Sequence, residues 1–207
     1  MTLEEILQVP TSASAEELAR DCWDDDNRLS YSEDGTKVLD AENFPSEVTV
    51  RDGCRIICDN VFAFQPYMAG ALEDDADIPL EERDSFLEKI KLPSSITHIG
   101  KGAFAECGQL ERISLPSGLL SIGDGAFMDC WQLEKISLPS HTRAVGACAF
   151  QGCINLYQIR LNRELEWIGE DAFDDCESLE TIFIPHGMLD YFMRLLPQPL
   201  HELIEEL

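Results

Sequence analysis

The sequence ITHIGKGAFAEC at residues 96–107 recurs, with changes, later in the chain. LLSIGDGAFMDC follows at 119–130 and LEWIGEDAFDDC at 165–176, and all three share Ile-Gly, Ala-Phe and Cys at the same spacing. The repeating units begin 23 residues apart, at Leu87, Leu110, Leu133, Leu156 and Leu179. A fixed period of this length predicts a solenoid that has one coil per repeat.

Each repeat divides into a short strand and an opposite side. The alternation in Ile-x-Leu-Pro predicts a strand, with Ile90 and Leu92 pointing inward and Lys89 and Lys91 pointing outward. The Ile-Gly-x-x-Ala-Phe segment comes after a turn, and its glycine permits a tight bend or a close approach of two backbones. Stacking of the coils predicts a buried aromatic spine, formed by Phe104, Phe127, Phe150 and Phe173.

The cysteines follow the same period. Four of the eight lie 23 residues apart, at Cys107, Cys130, Cys153 and Cys176. This spacing favours a ladder of free thiols over disulfide pairs, and stacked inward thiols behave as small hydrophobic groups. A redox protein or enzyme that uses these thiols is the less favoured alternative.

The repeats resemble the BspA-like leucine-rich repeats, whose units read I-x-L-P, then I-x-x-I-G-x-x-A-F-x-x-C-x-x-L. The resemblance covers about residues 36–195. It implies a right-handed solenoid with strands on one face, in a family that binds other molecules rather than catalysing reactions. We therefore expect an α/β solenoid of about five to six leucine-rich-repeat coils, with a sheet of short strands on one face and helical N- and C-terminal caps.

Outside the regular repeats the sequence indicates caps and an insertion. Ser14 and Glu17 form a capping-box pattern, and Asp34-Gly35 lies between two alternating runs that are typical of a hairpin. Phe62 ends a degenerate first repeat in which Cys58 replaces the expected glycine. We expect five segments: a cap of helices and a hairpin at 1–35, the degenerate repeat at 36–64, an acidic helical insertion at 65–86, regular repeats at 87–187 and a helical cap at 188–207.

Composition restricts the function. The chain has 15 Lys and Arg against 40 Asp and Glu, a formal net charge of −25, which repels nucleic acid. The four histidines fall on expected turns, surfaces or terminal helices, and none pairs with a Ser or Cys as a catalytic triad does. We therefore expect no catalytic residue, cofactor or metal, and no membrane span.

The outward strand positions form two columns, Lys89, Arg112, Lys135, Gln158, Thr181 and Lys91, Ser114, Ser137, Arg160, Phe183. They hold five cations and no acid, although the chain is strongly acidic. One interpretation is a structural charge lattice, in which glutamates one residue upstream neutralise the stacked cations; these are Glu88, Glu111, Glu134 and Glu180. The other is a binding site formed by Lys89, Lys91, Arg112, Lys135, Gln158, Arg160 and Phe183, with Phe183 either an anchor or covered by the C-terminal cap.

The sequence thus favours a non-catalytic module that binds a protein partner, one that is acidic on its contacting face. The first residues lack the basic and apolar segments of a signal peptide, so we expect a cytoplasmic protein. The alternative is a cell-surface or secreted adhesion protein of the BspA-like type, if the native protein begins earlier. The sequence gives no oligomeric state.

Overall fold

The computed structural model describes residues 1–63 and 86–207. The repeats form a β-solenoid of about six turns. The acidic helix expected at 65–86 lies outside the described residues except for Phe86, whose side chain is exposed.

One side of the solenoid, here called the strand face, carries the short strands of the repeats. Its strands are β4 (Glu47–Thr49), β6 (Lys89–Lys91), β9 (Lys135–Ser137), β11 (Gln158–Arg160), β13 (Thr181–Ile184) and β14 (Ile204–Glu206). β4 pairs with β6, and the other four form a second parallel sheet in the order β14-β13-β11-β9. Between the two sheets, one coil contributes only a bridge from Arg112 to Lys135.

The next side of each coil belongs to a different sheet, here called the eight-stranded sheet. Its strands are β1 (Cys22–Asp24), β2 (Leu29–Tyr31), β3 (Lys37–Ala41), β5 (Ile56–Ile57), β7 (His98–Ile99), β8 (Ser121–Ile122), β10 (Ala144–Val145) and β12 (Trp167–Ile168). β1, β2 and β3 are antiparallel, and from β3 onward the strands pair in parallel, one per coil. The hairpin predicted around Asp34-Gly35 is the β2–β3 connection, where Gly35 has a φ of 72°.

The third side is made of turns, which is why the expected α/β class gives way to a β-solenoid. In one coil Gly102 and Glu106 have φ values of 58° and 59°, and Gly125 and Asp129 repeat this in the next. Two left-handed residues four positions apart interrupt any helix. The backbone groups bond to the next coil instead: the Phe104 N–H donates to the Ala126 carbonyl at 2.8 Å.

The core runs along the axis as ladders of identical side chains. Stacked rings of Phe62, Phe104, Phe127, Phe150 and Phe173 have centroids 5.1 to 5.7 Å apart and planes within 8° of parallel. The predicted spine is confirmed and extended by one ring at the N-terminal end. Phe44 closes that end by packing its edge on Phe62 at 5.4 Å.

The cysteine ladder runs beside this spine. The Cys130 thiol donates to the Phe104 carbonyl at 3.1 Å, and Cys153 donates to Phe127 at the same distance. Burial raises the pKa of both thiols well above the usual value. Hydrogen-bonded, buried and neutral, these side chains are packing groups.

The N-terminal segment crosses the eight-stranded sheet rather than only closing one end of the solenoid. α1 (Leu3–Leu7) and α2 (Ala15–Leu18) both begin with capping boxes, the second at the predicted Ser14 and Glu17. Ile6 of α1 is buried, its carbonyl faces the His98 ring, and the Met1 carbonyl accepts from Arg143. The expectation of a surface His98 is therefore wrong: this ring lies in β7 with 4% of its area exposed, because α1 covers it.

The C-terminal segment is only partly helical, unlike the expected cap. α3 (Leu189–Leu195) is followed by a 3-10 helix at Gln198–Leu203 and by β14, which pairs in parallel with β13. Phe192 is fully buried, and the Tyr191 hydroxyl donates to the Leu165 carbonyl at 2.8 Å. Helix packing covers part of the last coil, and the added strand extends the strand face.

Candidate binding site on the strand face

Five cations lie on the strand face and are called the cation face below: Lys89, Lys91, Arg112, Lys135 and Arg160. All five are exposed. Their strands place them outward because Ile90, Ile136 and Ile159, between them, point into the core. Backbone pairing sets Arg112 beside Lys135, and Lys135 beside Gln158, as the sequence columns predict.

Two members of the cation face form ion pairs with acids of a neighbouring coil. Lys89 pairs with Glu47, which lies opposite it on β4. This glutamate, followed by the charges of Glu88 and Glu111, raises the pKa of Lys89 and holds it protonated. Arg112 pairs with Glu134 at 3.0 Å, with its side chain 78% exposed. Ion pairs this exposed add little to stability, so both cations stay available to solvent and to a ligand.

Two further members lie over aromatic rings. The Lys135 ammonium is 4.8 Å from the centre of the Tyr157 ring, and the Arg160 guanidinium is 6.0 Å from that of Phe183. Within residues 1–63 and 86–207, Lys91, Lys135 and Arg160 have no carboxylate within ion-pair distance. No acid of the described ranges thus neutralises three of the five charges by direct contact.

The two remaining residues of the predicted site are half-buried. Gln158 lies between Lys135 and Thr181 in the sheet. Phe183 lies between Arg160 and Glu205 of β14, so the C-terminal strand flanks it without burying it. A flanked, half-exposed ring can still contact a partner at the edge of the cation face.

Sequence reasoning missed Glu47 and Tyr157. Glu47 comes directly before Val48, which the alternation of the degenerate repeat already placed in a strand. Tyr157 occupies the position that Glu88, Glu111 and Glu134 hold in the earlier repeats. Extending the Lys89 column by one coil toward the N-terminus finds Glu47. Extending the column of upstream glutamates by one coil toward the C-terminus finds Tyr157.

The ion pairs of the cation face match the lattice interpretation only in part. Of the four glutamates expected to neutralise them, Glu134 alone makes an ion pair with the cation face among the described residues, and Glu47 makes the other. A complete lattice would pair each cation with an acid. The described contacts form a lattice only at Lys89 and Arg112, and they leave the other three cations of the face without an ion pair.

The rest of the described chain offers little for catalysis. In the described ranges no three His, Cys, Asp or Glu side chains converge to hold a metal ion. His141 and His186 are exposed and lie near Glu164 and Glu206, while the buried His98 contacts Thr97. No described helix combines the length and the apolar character needed to span a bilayer.

Comparison with known proteins agrees with the geometry of the coils. The family model described as BspA type leucine rich repeat region matches six copies over residues 83–191, just over half of the chain. No curated protein matches the chain. Proteins with leucine-rich-repeat folds are generally not enzymes and often mediate protein interactions.

Several solved bacterial structures are similar. A leucine rich cell surface protein from Faecalibacterium prausnitzii has a TM-score of 0.67 at 23% identity, over 85% of this chain and 42% of that one. The T. pallidum leucine rich repeat protein gives 0.60 at 23%, over 83% and 71%. The pneumococcal vaccine antigen PcpA gives 0.59 at 20%, over 75% and 35%. The likeness to these structures is one of fold, and the chain spans less than half of two of them. With the repeats matched over residues 83–191, the chain belongs to the BspA-type leucine-rich repeat family.

Proposed function

We propose that this protein is a non-catalytic interaction module that binds an acidic surface of a protein partner through the cation face. The observation that carries the proposal is the exposure of Lys91, Lys135 and Arg160 without a carboxylate partner among residues 1–63 and 86–207, in a chain of net charge −25. An acidic protein gains nothing in solubility from a concentrated cationic patch. Complementary charge instead raises the association rate and orients a partner.

The proposed partner surface presents acids in a row. Paired strands of parallel sheets lie ~4.8 Å apart, so cations in one column are spaced at multiples of that distance. A partner strand or helix that carries Asp or Glu at similar spacing fits the face. Phe183 and Tyr157 add apolar contact at its C-terminal half.

The test compares three variants in binding to a partner captured by the intact chain and then purified. The face variant carries Lys91→Glu, Lys135→Glu and Arg160→Glu. The control carries Lys101→Glu, an exposed cation on the turn side of the solenoid. A third variant, Lys89→Ser with Arg112→Ser, removes only the cations that are ion-paired.

We expect the face variant to lose binding at least tenfold while its urea midpoint stays close to that of the wild type. The Lys101 control should bind normally, and wild-type binding should weaken as salt rises. Unchanged binding by the face variant would refute the proposal. A large stability loss in the Lys89 and Arg112 variant, together with that unchanged binding, would identify the cations as a structural lattice.

A second candidate is adhesion at a cell surface, favoured by the Faecalibacterium prausnitzii relative, which is described as a cell surface protein. We propose the cytoplasm as the location and the cell surface as the alternative. Both use the same cation face, and they differ in where the partner is met. Fractionation of cells that make the native protein, with protease applied to intact cells, distinguishes them: digestion without lysis places the protein outside.

A further inference from the structure

The turn side of the solenoid has a directional ladder of backbone hydrogen bonds. In the coils that begin at Leu87, Leu110 and Leu133, three N–H groups donate to carbonyls of the next coil at alternate residues. Cys148, Phe150 and Gly152 donate to Glu170, Ala172 and Asp174, at 2.9, 2.9 and 3.0 Å. Each of these coils therefore presents three N–H donors on the side that faces the C-terminal end.

In the last coil, the three equivalent donors have no coil to meet. They are the N–H groups of Asp171, Phe173 and Asp175, and no described residue accepts from them. The C-terminal segment does not complete this ladder, because β14 pairs on the strand face and Tyr191 bonds to Leu165. An uncovered row of backbone donors is the edge that an added extended segment uses.

A groove of about 360 Å³ lies beside this edge, between the last turn and the end of α3. Ala172, Phe173, Leu195, Leu196 and Pro197 supply its apolar lining. Phe173 ends the aromatic spine, and its outer face has no further ring to stack on. Phe173 is only 5% exposed, so the groove can take one apolar side chain at its mouth, with this ring as part of the wall.

The rim of the groove is acidic. Glu170, Asp171 and Asp174 stand on it beside a single cation, Arg194. Burial, and then the charges of Asp171 and Asp175, raise the pKa of Asp174. These carboxylates repel one another without converging into a metal site in the described ranges. A ligand with cations opposite Glu170, Asp174 and the neighbouring exposed Asp175 would relieve that repulsion.

We propose that the open edge of the last coil binds an extended basic peptide segment of a partner protein, in parallel with residues 170–175. Carbonyls of the segment accept from Asp171, Phe173 and Asp175, and its apolar side chain enters the groove. Its cations lie over Glu170, Asp174 and Asp175. A second copy of this chain fits less well, because each copy carries a charge of −25 and Thr11 and Ser12 already bond to Asp59 in the first coil.

The probe is a fluorescein-labelled peptide, IGKGAFKK, with the sequence of residues 99–106 carrying Ala105→Lys and Glu106→Lys. In the coil register its lysines match Glu170, Asp174 and Asp175, and its phenylalanine matches Phe173, at the mouth of the groove. A scrambled peptide, KGKIAGFK, has the same charge and composition. Fluorescence polarisation gives the affinities, and amide hydrogen exchange reports the three N–H groups.

We expect the probe to bind at least tenfold more tightly than the scrambled peptide, and to slow exchange at Asp171, Phe173 and Asp175. The exposed Asp174→Lys change should weaken binding at least tenfold, whereas Glu205→Lys on the strand face should not. Equal affinity for the two peptides, or unchanged exchange at the three amides, would overturn the proposal. The proposal would also be overturned if the protein formed concentration-dependent oligomers in which these three amides exchange slowly without peptide. A second copy of the chain would then occupy the open edge.

Discussion

Two glycines of a single coil serve different purposes. A Cβ on Gly123 would come within 2.6 Å of the Gly100 carbonyl carbon and 2.7 Å of the Lys101 nitrogen, both backbone atoms. Gly125 has a φ of 57°, and its Cβ would meet nothing closer than 3.8 Å. The first glycine permits close approach of two coils, and the second permits a left-handed turn.

We expect Gly123→Ala to cost at least about 2 kcal/mol in the free energy of unfolding, because backbone atoms of the adjacent coil cannot yield. Gly125→Asn should cost about 1 kcal/mol or less, since Asn tolerates a positive φ. Cys148 and Asp171 already hold the same conformation at equivalent positions, with φ of 54° and 56°. Urea denaturation of both variants measures the difference, and equal losses would contradict this division of roles.

The aromatic spine gives a second comparison between residues. Phe127 stacks on a ring at each side, at 5.1 and 5.3 Å, whereas Phe173 stacks on one side only. Phe127→Ala should cost about 3–5 kcal/mol through the cavity it opens, and Phe173→Ala should cost less. Urea melts of the two variants test this, and a Phe173 loss as large as that of Phe127 would show that end coils are held as firmly as central ones.

At the level of elements, α1 rests on a titratable group. Burial lowers the pKa of His98 from its ordinary value of 6.5, although the Ile6 carbonyl acts weakly in the opposite direction. The folded protein therefore holds this ring neutral. Because the ring has the higher pKa in the unfolded state, protonation favours unfolding as the pH falls below 6.5. The contribution of this contact to the free energy of unfolding is therefore complete above pH 6.5 and declines below it.

We expect the free energy of unfolding to drop between pH 7.5 and 5.5 by more in the wild type than in His98→Gln, which cannot titrate there. Amide exchange in residues 3–8, corrected for intrinsic rates, should speed up over the same range in the wild type only. Identical pH profiles for the two proteins would show that His98 does not couple to the docking of α1.

The elements that the sequence predicted are those set by local pattern. The strand of each repeat alternates with period two, and Ser14 with Glu17 is a local capping signal, so both could be read directly. The docking of α1 and the pairing of β14 depend on contacts between residues far apart in the chain, such as Met1 with Arg143. Cation columns were predictable because the period fixes them, whereas the aromatic contact of Lys135 depends on Tyr157, which replaces the glutamate of the earlier repeats. Right-handed coiling stays a prediction from the family.

At the level of the whole molecule, the thiols report how continuous the core is. Cys22 is exposed and Cys148 and Cys176 are partly so, whereas the other five are buried: Cys54, Cys58, Cys107, Cys130 and Cys153. Burial raises the pKa of Cys54 to about 11 and that of Cys58 to about 12, which suppresses the reactive thiolate.

Alkylation of the native protein followed by intact mass measurement should therefore label Cys22 first and Cys148 next. All eight thiols should react after unfolding in denaturant without reductant. Fewer than eight labels under those conditions would reveal disulfides and favour an extracellular protein. Fast labelling of Cys130 in the native state would show that the core opens as a unit.

The constant 23-residue period makes the length of this molecule adjustable. Every coil interface repeats the same ladder of rings, glycines and backbone bonds, so a duplicated copy of residues 110–132 inserted after 132 should join both neighbours without a change of register. Such an insertion would add a second Arg112 to the cation face and move the open edge of the last coil away from Lys89 by one strand spacing, ~4.8 Å, without changing the open edge itself. The solenoid would then act as a ruler, because a ligand that touches both Lys89 and the open edge of the last coil senses the added step, whereas a ligand of the open edge alone does not.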